Sequence, residues 1–322
     1  MSTLGLDLDS LGISRISRLQ VSAVNGKILE HALSPGGFGI SRYLLDHQLS
    51  IIARSAGATI EENTRVNDIV FDDPGFCIQT PKKNYRATIA CGSFGKRSNI
   101  DIKWKRQFVT TPRSRLNNYV GVKYHVKASF PADTIALHNF SDGYCGISKI
   151  EDDKYCLCYL TRATNLEKAK DSIGGMEQAI LMQNPHLKKI MTEMEIVYKS
   201  PLTISQISFE KKAQVENHVL MVGDAAGMIT PLCGNGMSMA LHASKLAATQ
   251  INLFLQRKIS RQQMEDQYSR NWEEQFSKRL RMGRRIQRLF GQSWVTNYFI
   301  AIAKSSPRLV SYLVMQTHGK SF

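Results

Sequence analysis

The chain has 322 residues, 43% of them hydrophobic, enough for one large core or two moderate ones in a soluble globular protein. Its six cysteines (Cys77, Cys91, Cys145, Cys156, Cys158 and Cys233) lack the spacing of a disulfide framework and point to a reducing, cytoplasmic setting; no secretory signal opens the chain, and the run Trp294–Ala303 is too short to cross a membrane. The net charge is +15, and residues 256–322 carry 13 Lys and Arg against 4 Asp and Glu, a net +9.

Residues 1–14 define no element. Arg15–Ala23 alternates around Ile16, Leu19 and Val21, Asn25-Gly26 is a two-residue hairpin turn, and Lys27–Leu33 returns. The run Ser34–Gly39, SPGGFG, reads as a loop. Ser41 is placed to cap a helix whose apolar face is Leu44, Leu45, Leu49, Ile52, Ala53 and Ala56, ending at Gly57. Short strands follow at 58–61, 66–71, 76–79 and 85–90, then a glycine-bearing turn at Ile89–Ser98, IACGSFGKRS. From Tyr119 the pattern becomes antiparallel, with strands at 119–126, 135–140, 144–150 and 155–161 separated by turns at Ser141–Gly143 and Glu151–Asp153. Cys156 and Cys158 sit within that run as structural residues, because no C-x2-C or His pair accompanies them.

A helical pattern at Leu166–Met182 is weakened by Gly174-Gly175, and a second occupies Pro185–Met194. Strands are expected at Leu202–Phe209 and Val215–Val222. Ser260–Phe290 is a long helix with Lys278, Arg281, Arg285 and Arg288 on one face and Leu280, Ile286, Leu289 and Phe290 favouring another. Such a helix lies on an anionic membrane, receives an acidic carrier, or is an ordinary solvated face packed on the domain beside it. Nucleic acid is not an expected partner, since no recognised module is present and the basic residues are not interleaved with aromatics.

One stretch carries more chemistry than the rest. His218–Leu246, HVLMVGDAAGMITPLCGNGMSMALHASKL, reads as a buried strand (Val219–Val222), a glycine-rich turn and a long helix. Asp224 falls at the carboxyl end of the strand, where ligands bind in open α/β sheets. Pro231 stiffens the loop, and Gly234 and Gly236 flank Asn235 just before the helix, so that backbone N–H groups and the positive helix end face a ligand. An aspartate here suits ribityl hydroxyls, and the N–H groups suit the charge of a reduced flavin ring. A strand-turn-helix whose glycines serve only packing has the same spacing.

The composite G-D-A-A-G-x3-P-x2-G-x-G-M, together with the S-R-x2-L-D-x2-L-x3-A-x3-G helix starting at Ser41, resembles the glutathione-reductase-type flavoproteins, which include aromatic-ring hydroxylases, flavin-dependent halogenases and geranylgeranyl reductases. The resemblance runs in order from about Ile16 to the C terminus. It implies an α/β fold: a Rossmann-like FAD-binding domain (34–100 and 203–255), an inserted antiparallel β-sheet substrate domain (15–33 and 101–202) and a basic helical C-terminal region (256–322). It also implies the cofactor-binding residues Arg42, Val66, Asp224, Pro231, Gly234, Asn235, Gly236 and Met237. Arg42 would reach the diphosphate or ribose, Val66 the adenine, Asp224 the ribityl chain, and Gly234–Met237 the flavin ring. Cys233 inside that loop is either redox-active or a small packing residue.

The resemblance further implies an FAD-dependent oxidoreductase that takes hydride from NAD(P)H and hydroxylates or reduces an apolar organic substrate, a lipid, isoprenoid or polyketide. His125 and Tyr144 are the candidate acid or base residues. Tyr144 and Lys149 match the reductases' Y-x-W-x-F-P-K strand, whereas Gly146 and Ser148 depart from it. The halogenases' W-x-W-x-I-P is absent from the chain. So is the G-x-G-x2-G turn that holds the diphosphate. The expectation is a domain without its first βαβ unit, poorly stable alone and weak in FAD affinity, because neighbouring strands would lack a partner. A non-catalytic remnant, or a module that binds a membrane surface, is the alternative reading.

Overall fold

The computed structural model describes residues 5–110, 119–289 and 293–318. A hairpin, β1 (Ser14–Ser22) and β2 (Ile28–Gly39), leads into α1 (Arg42–Ser55). A meander of β3 (Asp68–Asp72), β4 (Gly75–Gln79) and β5 (Asn84–Ala87) is followed by β6 (Cys91–Gly92) and the short helices α2 (Asn99–Lys103) and α3 (Gln107–Thr110). Four longer strands come next: β7 (Tyr119–Lys127), β8 (Thr134–Phe140), β9 (Gly143–Lys149) and β10 (Tyr155–Arg162). Helices α4 (Ala163–Lys168), α5 (Ile173–Ala179) and α6 (Pro185–Glu193) precede β11 (Glu195–Ile196), β12 (Leu202–Ile207), β13 (Val215–Glu216) and β14 (Val219–Met221). The chain ends in α7 (Gly236–Leu255), α8 (Arg261–Leu289), α9 (Ser293–Ser305) and α10 (Pro307–His318).

Two compact units result. The first comprises Met1–Ile60, Asn118–Gln206 and Arg288–Leu313, and the second Glu61–Asn117, Ile207–Gln287 and Val314–Phe322. Helix α1, assigned by sequence to the cofactor half, falls within the first unit.

The first unit is built on a sheet ordered β11-β7-β10-β9-β8-β1-β2, with β12 also pairing β7. All these pairs with printed register are antiparallel except β1–β8. Alternation sets its faces. Val122, Tyr124, Val126, Ala136, Cys145, Ile147, Leu157 and Tyr159 point into a core completed by Met176, Leu181, Leu187 and Met191 from the helical segment 173–193. On the opposite face Lys123, His125, Gly146, Ser148, Cys156 and Cys158 stay half-buried. A buried polar network holds β1 to β8 and α6: Ser22 Oγ lies 2.8 Å from His138 Nδ1, and Asn184 Nδ2 donates to Ser22 Oγ and to the carbonyls of Ala23 and Asn139. Burial holds His138 neutral, its pKa lowered to about 3 by desolvation and then by His186 stacked on it.

Several sequence expectations are corrected here. The glycine run 34–39 is strand, not loop: Ile16, Arg15 and Ser14 of β1 pair with Gly37, Phe38 and Gly39. Its glycines serve close backbone approach, for a Cβ on Gly36 would sit 2.2 Å from the Ile16 carbonyl oxygen and one on Gly39 1.7 Å from that of Lys149. Helix α1 is capped as expected, Ser41 Oγ accepting from Leu44 N, but only Leu45 of its apolar positions is buried. The helix expected at 166–182 is broken into α4, α5 and a 3-10 turn, with Lys170 and Asp171 at positive φ between the first two. Residues 58–61 form no strand, and the strand expected at 85–90 ends at Ala87 before β6 begins at Cys91. Phe290 lies outside the described residues, as do the side chains of Cys233, Arg288 and Leu289.

In the second unit β14 lies between β13, antiparallel, and β6, parallel, in the order β13-β14-β6. Val219, Leu220 and Met221 are fully buried, as the apolar run requires. They pack with Ala243 and Ala247 of α7 and with Met264, Tyr268, Trp272, Phe276 and Leu280 of α8. Tyr268 Oη donates to the Met221 carbonyl, and His218 Nδ1 pairs with Glu265 at 3.0 Å. The meander β3–β5 is tied to α8 by Arg261, which donates to the carbonyls of Pro74 and Thr88 and stacks over Phe71, Phe76 and Phe254. Among the described residues, no helix is long and apolar enough to cross a membrane.

Candidate functional site

The turn after β14 is the most heavily supported backbone in the second unit. Gly223–Ala225 forms a single 3-10 turn, and Gly223 has φ +63, a conformation glycine takes without strain. The next three carbonyls are each held by a different side chain. Lys212 Nζ donates to Asp224 O at 2.7 Å, Arg106 Nη1 to Ala225 O at 3.0 Å, and Gln214 Nε2 to Ala226 O at 3.3 Å. All three side chains belong to buried residues. Arg106 also binds Asp101 Oδ1 at 2.8 Å, Ala213 O at 2.9 Å and Glu216 Oε2 at 3.3 Å. Asp101 is itself fixed by a capping box with Ser98 at the start of α2.

With its carbonyls drawn back, the turn leaves Asp224 beside a concavity lined by Gly223, Gly227, Ile229, Gly236, Met239, Ala240, Ala243 and Trp272. Asp224 at the strand end and Gly236 at the helix start therefore meet at one hollow, as the motif spacing implies. Gly227 cannot carry a side chain here, since a Cβ would lie 2.7 Å from the Trp272 ring. Pro231 opens a second 3-10 turn, Pro231–Cys233, and Gly234 follows at φ +67. A Cβ on Gly234 or Gly236 would meet nothing within 4 Å, so the approach to the α7 N terminus is open. Asn235 is the N-cap residue of α7 but makes no side-chain cap bond, and the first turn holds no acidic residue. The N–H groups and positive end of a 20-residue helix thus face the opening, with Met237 half-buried in its first turn. Aspartate, glycine backbone and the start of α7 lie around one small hollow.

The remaining expected residues lie elsewhere. Arg42 is exposed at the first position of α1, in the first unit, where it pairs with Asp46 at 2.9 Å. Val66 precedes β3 by two residues, and its carbonyl accepts from Asn99 Nδ2 at 3.0 Å. In the glycine-bearing turn that ends at Ser98, Ser98 Oγ is taken up by the cap of α2 and Lys96 O accepts from Lys212 Nζ at 2.7 Å. His125 lies on the half-buried sheet face of the first unit near the Tyr198 ring, and burial lowers its pKa. Tyr144, buried in β9, shares that face.

Sequence reasoning missed Arg106, Lys212 and Gln214. The available signal was Lys212-Ala-Gln214, two polar residues in alternation just before the most apolar strand. Lys212 is the titrating member. Burial, aided by Arg106 and Lys96 and opposed by Asp101 and Asp224, lowers its pKa to about 8, and its ammonium sits 4.3 Å from the Phe108 ring centroid. It is charged below that pH and neutral above it. Affinity for a ligand that develops negative charge at this turn is expected to be level below pH 8 and to fall up to about tenfold per pH unit above it. Lys212→Met should flatten the profile. Anaerobic titration of reduced-flavin binding between pH 6.5 and 9.5 checks this, and a level wild-type curve would count against a role for the charge.

No family model matches the chain. It is 26% identical over 253 residues to Conditioned medium factor receptor 1 of Dictyostelium discoideum, covering 74% of this chain and 48% of that protein. An uncharacterized protein of Methanocaldococcus jannaschii is 32% identical over 107 residues, covering 32% of this chain and 26% of that protein. The chain thus spans half or less of the length of these relatives. Among solved structures, the flavin-dependent brominase Bmp2 superposes with TM-score 0.77 at 16% identity over 98% of this chain and 80% of its own. A geranylgeranyl bacteriochlorophyll reductase-like protein from Thermoplasma acidophilum gives 0.75 at 15% identity, covering 94% and 79%. CmlS, a flavin-dependent halogenase, gives 0.71 at 16%, covering 98% and 57%. The chain therefore has the mixed α/β fold of these flavin-dependent halogenases and of the geranylgeranyl bacteriochlorophyll reductase-like protein.

Proposed function

We propose that the protein is a flavin-dependent oxidoreductase whose second unit holds the ribityl chain and ring of FAD between Asp224 and the N-terminal turn of α7. One observation carries the reading: three buried side chains fix the carbonyls of residues 224–226, which leaves the aspartate and the open helix end on a common hollow. Asp224 accepts from ribityl hydroxyls, and the N–H groups of Gly236 and Met237 stabilise negative charge at the ring. Pro231 and Gly234 fix the loop that brings them there, with Asn235 at the helix cap. Val66, in the same unit, is assigned by the motif to the adenine end.

When bound, the flavin supplies two-electron redox chemistry, with NAD(P)H as the proposed reductant and an apolar organic molecule as the proposed substrate. Gly146, on the half-buried sheet face of the first unit, is small where the reductases carry a large aromatic. Although the named structural relatives include halogenases, the W-x-W-x-I-P run is absent from this chain, which favours hydroxylation or reduction. Its locale is proposed to be cytoplasmic.

The ring and ribityl contacts in the second unit are common to riboflavin, FMN and FAD. Riboflavin, FMN and FAD are therefore expected to bind within about tenfold of one another. Fluorescence titration of the three, followed by anaerobic bleaching with NADH and NADPH, tests the reading. The absence of saturable binding by a folded protein would refute it. Binding without bleaching would favour the non-catalytic alternative.

A further inference from the structure

Helix α9 packs on β2 and β8 through one face, burying Thr296, Ile300 and Ala303. Its opposite face is apolar and open. Trp294 is 75% exposed, Tyr298 67% and Ile302 40%, at i, i+4 and i+8, and so they form a single ridge along the helix. Ala301 is exposed beside them. Tyr312, on α10, is also exposed. Aromatic side chains of this size rarely stand in water as a row, and such a row marks an interaction surface.

The charge around the ridge selects the partner. Residues 293–313 carry Lys304 and Arg308 and no Asp or Glu. Within α9 and α10 the rim cations Lys304 and Arg308 are exposed. A second copy of the chain would set like charge against like charge across a self-complementary contact, at a cost in affinity. Single-stranded nucleic acid would use the aromatic rings but not Ile302. A bilayer surface with anionic headgroups uses all of it: indole and phenol rings settle at headgroup level, the aliphatic residue below them, and the cations above.

We propose that α9 is a membrane-surface contact, with Trp294, Tyr298 and Ile302 entering the interface of an anionic bilayer. The helix lies on the bilayer and does not cross it. Nothing in this depends on flavin binding.

The test is flotation of the full chain with vesicles of phosphatidylcholine alone and of phosphatidylcholine mixed with phosphatidylglycerol, alongside tryptophan emission. Wild type should float with the mixed vesicles, weaken as salt rises, and shift its emission to the blue. The double variant Trp294→Ser/Tyr298→Ser, whose substitutions are at exposed sites, should keep its circular dichroism and bind roughly tenfold less. Lys304→Glu/Arg308→Glu should lose the preference for anionic vesicles. Equal binding to neutral vesicles, no binding to either, or binding unchanged in the aromatic variant would overturn the proposal. So would an aromatic-dependent dimer in light scattering, or aromatic-dependent oligonucleotide binding, in the absence of vesicle binding.

Discussion

Arg106→Met is expected to destabilise the second unit by about 3–5 kcal/mol, enough to leave much of the protein unfolded at ambient temperature. Its guanidinium is 1% exposed and donates to Asp101, Ala213, Ala225 and Glu216. Methionine matches the volume but removes every donor. The Asp101 carboxylate, 0% exposed, would then lose its ion-pair partner. Two carbonyls would also lose a charged donor, and an orphaned buried acceptor carries its own penalty. Lysine cannot stand in, because one ammonium does not reach acceptors spread over both edges of a planar fork. Urea unfolding gives the measurement. Arg106→Met/Asp101→Asn should regain part of the loss, since no lone charge remains buried. A single variant as stable as wild type would show that the cluster is relaxed by water.

Asp224→Ala is expected to lower flavin affinity about a hundredfold or more with little change in unfolding midpoint. Each hydrogen bond to a charged acceptor contributes roughly 1.5–3 kcal/mol, and two ribityl hydroxyls can share one carboxylate. The backbone of residue 224 is held by Lys212 Nζ on its carbonyl. Asp224→Asn keeps the shape and should fall between the two. Titration by quenching of flavin fluorescence separates the variants. Unchanged affinity in Asp224→Ala would move the ribityl chain away from this strand end and take the proposed site with it. Weak binding with a lowered unfolding midpoint would point to a structural role.

Much of the fold was legible because period-2 alternation survives in β7–β10, where one face is buried and the other is not. The cofactor motif was legible for a related reason: an unbroken apolar run, a glycine at positive φ and a helix-start glycine pair each answer to local backbone demands. The glycine run of β2 was misread because glycine signals both turns and close strand contact, and only the position of Lys149 O decides between them. The polar cluster behind the turn was hidden for a different reason. Arg106 acts on a carbonyl 119 positions away, and nothing in its neighbours' sequence records that partner.

That cluster holds the turn through three main-chain oxygens, and this limits what selection can see there. Carbonyls are the same in every residue, so Lys212, Arg106 and Gln214 hold a path of the chain and are blind to the side chains at 225 and 226. Those positions are free to drift among residues small enough to fit, whereas the three anchors, scattered through the sequence and unremarkable one by one, are not. A search keyed to the G-D-A-A-G letters would then miss relatives that a search keyed to the anchors would find.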